Sequence, residues 1–295
     1  VANTYPVTNG AWLGSLPHLL DFSGCSQENV ARLNARAFRL FSFFLTLKIA
    51  APFVFAGGLA WPLSLNAVGI LLVIVGVGLP RIYPLGLWLT LGLSFYGFVE
   101  AWPFTINHVG LELCILLLMC LVPQEESKPA GLSTADMIKI LMLSVWFFSG
   151  LHKLFDGYYL NGEFFALEAL ANDGTLGYYL NYLLSFFGPD NSLKPLFCCS
   201  EARLAFTSVQ IGILLGLSWL TILLEIFLPL SFLHNRWRHL GVFGLFIFQW
   251  MIGYVSGEID FAFTAFAILF LFVPRLAPLA YPSLALIFLV VQPWA

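Results

Sequence analysis

Three ionisable side chains stand in stretches that are otherwise almost wholly apolar. His108 opens one such stretch, in Trp102-Pro103-Phe104-Thr105-Ile106-Asn107-His108. Glu112 follows one helical turn later, on the same face and about 6 Å away. Lys153 closes another stretch, in Phe148-Ser149-Gly150-Leu151-His152-Lys153-Leu154. The two stretches are joined through Pro123–Thr134 and, as consecutive helices, run antiparallel. His108 and Lys153 therefore fall at similar depth, and a Lys–His–Glu cluster is geometrically reasonable. A Lys in an apolar pocket loses solvation, and its neutral amine becomes a usable base or nucleophile, with a nearby His to orient it or carry its proton onward. Two plainer readings stand beside this one. Lys153 and Glu112 would form an ion pair, or Lys153 would snorkel to an interface from a helix end.

Other polar residues are weighed in the same way, because ionisable groups at membrane depth are costly. Lys48 lies far from both ends of the first apolar stretch, and Glu225 in a later one is its expected ion-pair partner; a proton path is the sharper alternative. Pro229 opens the backbone one turn after Glu225. Glu100 ends the stretch before His108 at a similar height. His152 neighbours Lys153 but points about 100° away on a helix. Gln210 and Gln249 read as amides that hold helices together. A metal centre is not expected, since His108 and Glu112 lack a clear third ligand. A lone intramembrane His can ligate a haem or pigment.

The elements that position these groups follow from composition. The chain has 295 residues, of which 60% are hydrophobic and 10% charged, too few charges to cover a water-facing surface of this size. A net charge of −3 without a basic block excludes a nucleic-acid footprint. Five Cys make no disulfide scaffold, and Cys198–Cys199 reads as two thiols against apolar surface. The expected fold class is all-α: a polytopic membrane protein of eight or nine spans. These are Phe38–Leu59, Leu63–Leu79, Tyr83–Trp102, Asn107–Val122, Met137–Phe155, Leu204–Leu233, Leu240–Val255, Phe261–Val273 and Leu276–Val291, with Pro274–Arg275 as a tight turn between the last two. Residues 1–36 form an N-terminal cytoplasmic or interfacial segment without a signal peptide, in which Trp12, Leu13, Leu16, Leu19 and Leu20 suit a short surface helix. Residues 37–295 form the membrane domain. With the N-terminus inside, Arg32, Arg36, Arg39, Arg81, Lys128, Lys139, Arg236, Arg238 and Arg275 collect on the inner side, which is a positive-inside pattern. The membrane is expected to be a bacterial inner membrane. The outer loop 156–202 is rich in Phe, Leu and Tyr and is expected to form short amphipathic helices in the interface, a candidate lid.

The segment Trp146-Phe147-Phe148-Ser149-Gly150-Leu151-His152-Lys153-Leu154 resembles the aromatic-x-x-Gly-x-x-Lys-Leu segment of vitamin K-dependent gamma-carboxylase, a member of the horizontally transferred transmembrane (HTTM) domain family. Asn107-His108-Val109-Gly110-Leu111 resembles the Asn-His-aromatic-Leu segment of that family, and Leu220–Pro229 its late helix bearing Glu and Pro. The resemblance covers roughly Arg32 to Pro274. It implies that Lys153 is the base that deprotonates a hydroquinone and that His108 assists it. In the carboxylases, oxygen then converts the quinol to an epoxide through a strongly basic intermediate that removes a proton from a Glu side chain before carboxylation. Two departures matter. The large outer domain that engages peptide substrate is not expected, so protein carboxylation by this chain alone is not expected either. Gln249 stands where a His occurs in many members.

The functional expectation is therefore a quinone-site membrane protein centred on Lys153 and His108. Glu112, Glu100 and His152 would support them, and Trp102, Phe104, Trp146 and Phe147 would line the quinone pocket. The alternative is a non-catalytic subunit of a larger membrane complex that packs through aromatic faces and binds lipids or pigments at its seams; the 30 Phe suit it. A transporter built on Lys48 and Glu225 ranks lowest, for want of an inverted repeat.

Overall fold

The computed structural model describes residues 27–55, 82–101, 107–121, 133–155, 157–171, 174–188, 206–234, 236–253 and 259–291, together with residues 68, 71–72 and 74–75. Among the described residues the fold is all-helical: α1 (Gln27–Phe55), α2 (Tyr83–Ala101), α3 (Asn107–Leu121), α4 (Thr134–Phe155), α5 (Gly157–Leu160), α6 (Glu163–Ala171), α7 (Gly174–Ser185), α8 (Ser208–Leu230), α9 (Arg238–Met251), α10 (Ile259–Leu271) and α11 (Ala277–Val291). Most of the expected span Leu63–Leu79 and the surface helix around Trp12 lie outside the described residues, as do Cys198 and Cys199.

Helix α1 begins at Gln27 and runs through the expected boundary at residue 36. Its apolar positions Ala37, Phe38, Phe41, Phe44 and Leu45 are buried on one stripe, while Arg32, Arg36 and Arg39 on other faces are exposed. One helical period thus serves both the charged and the apolar part, and nothing in the sequence interrupts it. Ser42 donates to the Phe38 carbonyl at 2.9 Å, and the Tyr83 hydroxyl of α2 donates to Ser42 Oγ at 2.9 Å.

Pairwise contacts set the helix directions. Gly150 of α4 meets Glu225 and Ile226 of α8, whereas Gly162, twelve residues on, meets Leu214 and Leu215, so α8 runs antiparallel to the chain from α4 to α6. Gly241 and Gly244 of α9 meet Phe232 and Leu228, and Gly253 meets Ala262 of α10, which reverses the direction twice more. A tight turn at 274–276 leads into α11, where expected, and the Tyr281 hydroxyl donates to the Ala267 carbonyl at 2.8 Å. Phe41, Phe44, Phe263, Tyr281 and Phe288 fill the seam between α1, α10 and α11 with tilted and edge-on rings.

A second apolar cluster is built by Phe165, Ala166, Ala169 and Leu170 of α6, Leu180 and Leu184 of α7, and Leu214 of α8. Gly162 turns the chain into α6 at φ 74°, a left-handed conformation that favours Gly. Thr207 and Gln210 form a capping box at the start of α8, and Gln210 Nε2 also donates to the Leu184 carbonyl at 3.0 Å. Gln210 is thus the helix-joining amide it was read to be. The short helices expected in the loop are present in α5–α7. Only α7 turns an aromatic face outward, with Tyr178, Tyr182 and Phe186 exposed one turn apart, while most of α6 is buried.

Among the described residues two helices are long and apolar enough to cross a membrane, Thr134–Phe155 and Ser208–Leu233, and Val109–Leu121, Phe261–Leu271 and Ala277–Phe288 are shorter apolar helices. Their uncovered faces are not polar. Helix α8 exposes Trp219, Leu220, Leu223 and Phe227, and α9 exposes Phe243, Ile247 and Trp250. In water such faces would be expected to carry charged and polar residues.

Candidate functional site

Gly150 decides where α4 and α8 touch. With only a hydrogen on its Cα, the helices close until an added Cβ would lie 2.8 Å from Ile226 Cγ1 and 2.9 Å from Glu225 Cβ. This approach brings Glu225 under Lys153, one turn along α4. Lys153 Nζ donates to both Glu225 carboxylate oxygens at 2.7 Å and to Ser149 Oγ at 2.9 Å. The Tyr159 ring of α5 lies over the ammonium, 5.3 Å from Nζ to the centroid, and stacks on Phe164 at 4.5 Å. Glu225 is buried, and the Lys153 side chain is 16% exposed.

The Lys153 ammonium is thus held against α8 and α5. Helix α8 continues from Glu225 to Ser208, about 25 Å at 1.5 Å per residue; α5 and α6 pack against that extension, and α7 packs on α6.

The expected partners are exchanged. Lys48 of α1 pairs with Glu112 of α3, not with Glu225, and Glu112 Oε1 also accepts from Thr264 Oγ1 of α10 at 2.8 Å. Lys153 pairs with Glu225, not with Glu112. The physical reason lies in helix neighbours. Counting along the spans sets Glu112 level with Lys153 and Glu225 level with Lys48, but α4 packs most closely on α8, and α3 and α1 both reach α10. The signal that sequence reasoning passed over is Gly150 itself, since a small residue one turn before a Lys marks where another helix comes closest.

The remaining expected residues divide. His152 is exposed, away from the pair, as its angle on the helix required. Phe147 is half-buried beside Phe148, and Trp146 is buried with no hydrogen-bond partner for Nε1 among the described residues. Gln249 is fully buried, and neither of its polar atoms has a hydrogen-bond partner among the described residues, so no helix is joined through it there. His108 lies in the first turn of α3 and Glu100 in the last turn of α2, but their side chains, like Trp102 and Phe104, lie outside the described residues. Among the described residues no three His, Cys, Asp or Glu side chains group as a metal site would need.

Chemically, the Lys153–Glu225 pair offers a carboxylate that accepts a proton and an ammonium that holds the resulting anion, in a seam of low polarity where both act strongly. Gly150→Ala is expected to cost about 1–3 kcal/mol by overpacking. Thermal unfolding in one fixed detergent checks this; a cost near zero would mean that the helix contact is loose.

No protein-family model, curated protein or solved structure matches the chain.

Proposed function

We propose that this chain is a polytopic integral membrane protein of the HTTM type, with its N-terminus cytoplasmic in a bacterial inner membrane, and that its Lys153–Glu225 site exchanges a proton with the hydroxyl of a quinone-like lipid. The observation that carries the reading is the buried, bidentate Lys153–Glu225 pair under Tyr159. A buried ion pair is weak evidence for stability alone, so its retention in an apolar seam favours a working role. The pairing also divides the labour. The quinol O–H proton passes to a Glu225 carboxylate oxygen, and the Lys153 ammonium stabilises the quinolate oxygen left behind. In this form Lys153 is the counter-charge and Glu225 the immediate base. His108 is assigned as an assisting residue by the resemblance of its segment.

Binding of a decyl-substituted 1,4-benzoquinol to the detergent-purified protein tests the reading. Lys153→Met and Glu225→Gln should each weaken binding at least about tenfold, or 1.4 kcal/mol. Unchanged binding in both variants, with helicity retained, would refute it.

A second reading is favoured by a separate observation, the outward aromatic faces of α8 and α9. In it the chain is a non-catalytic subunit that covers these faces with partner helices, lipids or pigments. Stoichiometric partners after mild-detergent purification from the native membrane would support this reading; a lone, monodisperse chain would count against it.

A further inference from the structure

The turn from α8 into α9 carries charge of one sign. His234, Arg236, Arg238 and His239 lie within six residues, and the sequence has no Asp or Glu between Glu225 and Glu258. The turn is built by its own backbone. The Trp237 N–H donates to the His234 carbonyl at 2.9 Å, and the Arg236 N–H donates to His234 Nδ1 at 3.3 Å. Arg236 is exposed, and its guanidinium has no ion-pair partner among the described residues. The elements packed at this end add further cations. Phe232 packs on Phe272 at 4.6 Å, Lys139 lies over the Phe272 ring at 5.7 Å, and Arg275 stands in the turn that follows. Asp136 comes with them, but its two carboxylate oxygens accept from Lys139 at 3.0 Å and from Ser133 at 2.7 Å.

Beside this charge stand large apolar side chains that face outward. Trp237, next to Arg236, is 52% exposed. Beyond it the exposed positions continue along α9 as Leu240, Phe243, Ile247 and Trp250, spaced three, four and three residues apart, which is one face of a helix. Leu240 to Trp250 spans about 15 Å at 1.5 Å per residue, half of a hydrocarbon core about 30 Å thick, and so the depth of one leaflet. Arg236 precedes Leu240 by four residues and heads this face. Arg238 stands about 200° round the helix from Leu240 and lies off it. The surface thus begins at an unpaired guanidinium, passes an indole and continues as an apolar stripe one leaflet deep.

That order of polarity matches an anionic phospholipid, with a phosphate head, a glycerol region at the height favoured by indole rings, and acyl chains. We propose that the α8–α9 turn and the outward face of α9 seat such a lipid, whose phosphate accepts from the Arg236 guanidinium and whose acyl chain lies along Leu240, Phe243 and Ile247. The surrounding cations supply the field that draws an anionic head to this end rather than a neutral one. A helix of another protein would cover the same stripe, but it would also have to bring an acidic side chain to the turn, whereas an anionic lipid holds both parts in one molecule. The proposal rests on the membrane reading of the chain and not on the quinol reaction at Lys153–Glu225. In the orientation proposed above, the seat opens to the cytoplasmic leaflet.

The test adds dioleoyl phosphatidylglycerol or dioleoyl phosphatidylcholine to the full chain in a neutral detergent and reads bound lipid by native mass spectrometry. The anionic lipid should bind at least about tenfold more tightly than the neutral one. Arg236→Gln should lower that preference about fivefold, the worth of one basic residue at a charged surface, and Arg238→Gln by less than about twofold. Glycerol 1-phosphate, which has the head without the chains, should bind at least about tenfold more weakly than the lipid. Equal binding of the two lipids, equal losses in the two Arg variants, or glycerol phosphate binding as tightly as the lipid would each overturn the proposal. A stoichiometric protein that cross-links through Leu240 or Phe243 in the native membrane would overturn it as well. Flotation with phosphatidylcholine vesicles keeps the two levels apart. A chain that does not float refutes the membrane reading and this proposal together, whereas a chain that floats but shows no lipid preference refutes this proposal alone.

Discussion

Glu225→Met is expected to remove about 3–5 kcal/mol of stability, among the largest effects of any single change in this chain. Met keeps nearly the length and apolar bulk of the Glu side chain but leaves the Lys153 ammonium with Ser149 Oγ and the face of Tyr159 as its remaining partners. A charge buried in an apolar seam without a counter-charge is far costlier than the pair was favourable. The reciprocal double variant, Lys153→Met with Glu225→Met, should recover most of the loss, because two apolar side chains fill the seam with nothing left to solvate. Unfolding of the three variants in one detergent, read as a double-mutant cycle, measures the coupling. A Glu225→Met cost under about 1 kcal/mol would mean that water reaches the pair and screens it, as for exposed pairs.

Lys48→Met is expected to be comparably damaging, at about 3–5 kcal/mol, for a related reason. Glu112 is buried between α1, α3 and α10, and Lys48 supplies its charged partner among the described contacts. Without Lys48, its carboxylate retains the Thr264 hydroxyl, a single neutral donor. The Thr264→Val variant separates charge from hydrogen bonding, since it removes only that donor and should cost about 1 kcal/mol. If Lys48→Met proves no worse than Thr264→Val, the pair contributes little as a pair.

These two predictions concern residues that sequence reasoning had already singled out, though with their partners exchanged. Lys48, Glu112, Lys153 and Glu225 were each conspicuous because a charge in an apolar helix is rare and expensive. Their pairing was not legible in the same way. Depth along a helix follows from counting at about 1.5 Å per residue, and it points to Lys48 with Glu225 and Lys153 with Glu112, the opposite of the pairs observed. Which helices are neighbours depends on small contacts that one sequence does not announce, such as Gly150 against Glu225 and Gly244 against Leu228. Gln249 illustrates the same limit. An amide in an apolar helix suggests a link to another helix, yet Gln249 is buried without a hydrogen-bond partner among the described residues.

Helical character, the turn at 274–276, the short helices after α4 and the burial of the charged residues now seen in pairs were determined by the sequence alone. They rest on composition, on a helical period repeated along each segment, and on Pro and Gly where the backbone must turn, all of which are local properties. The choice of partner for each charge and the placing of the Tyr159 ring over Lys153 were decided only by the tertiary structure. Each depends on which two helices approach closely, and that approach is set by side-chain volume on both surfaces at once, a quantity that no single segment contains.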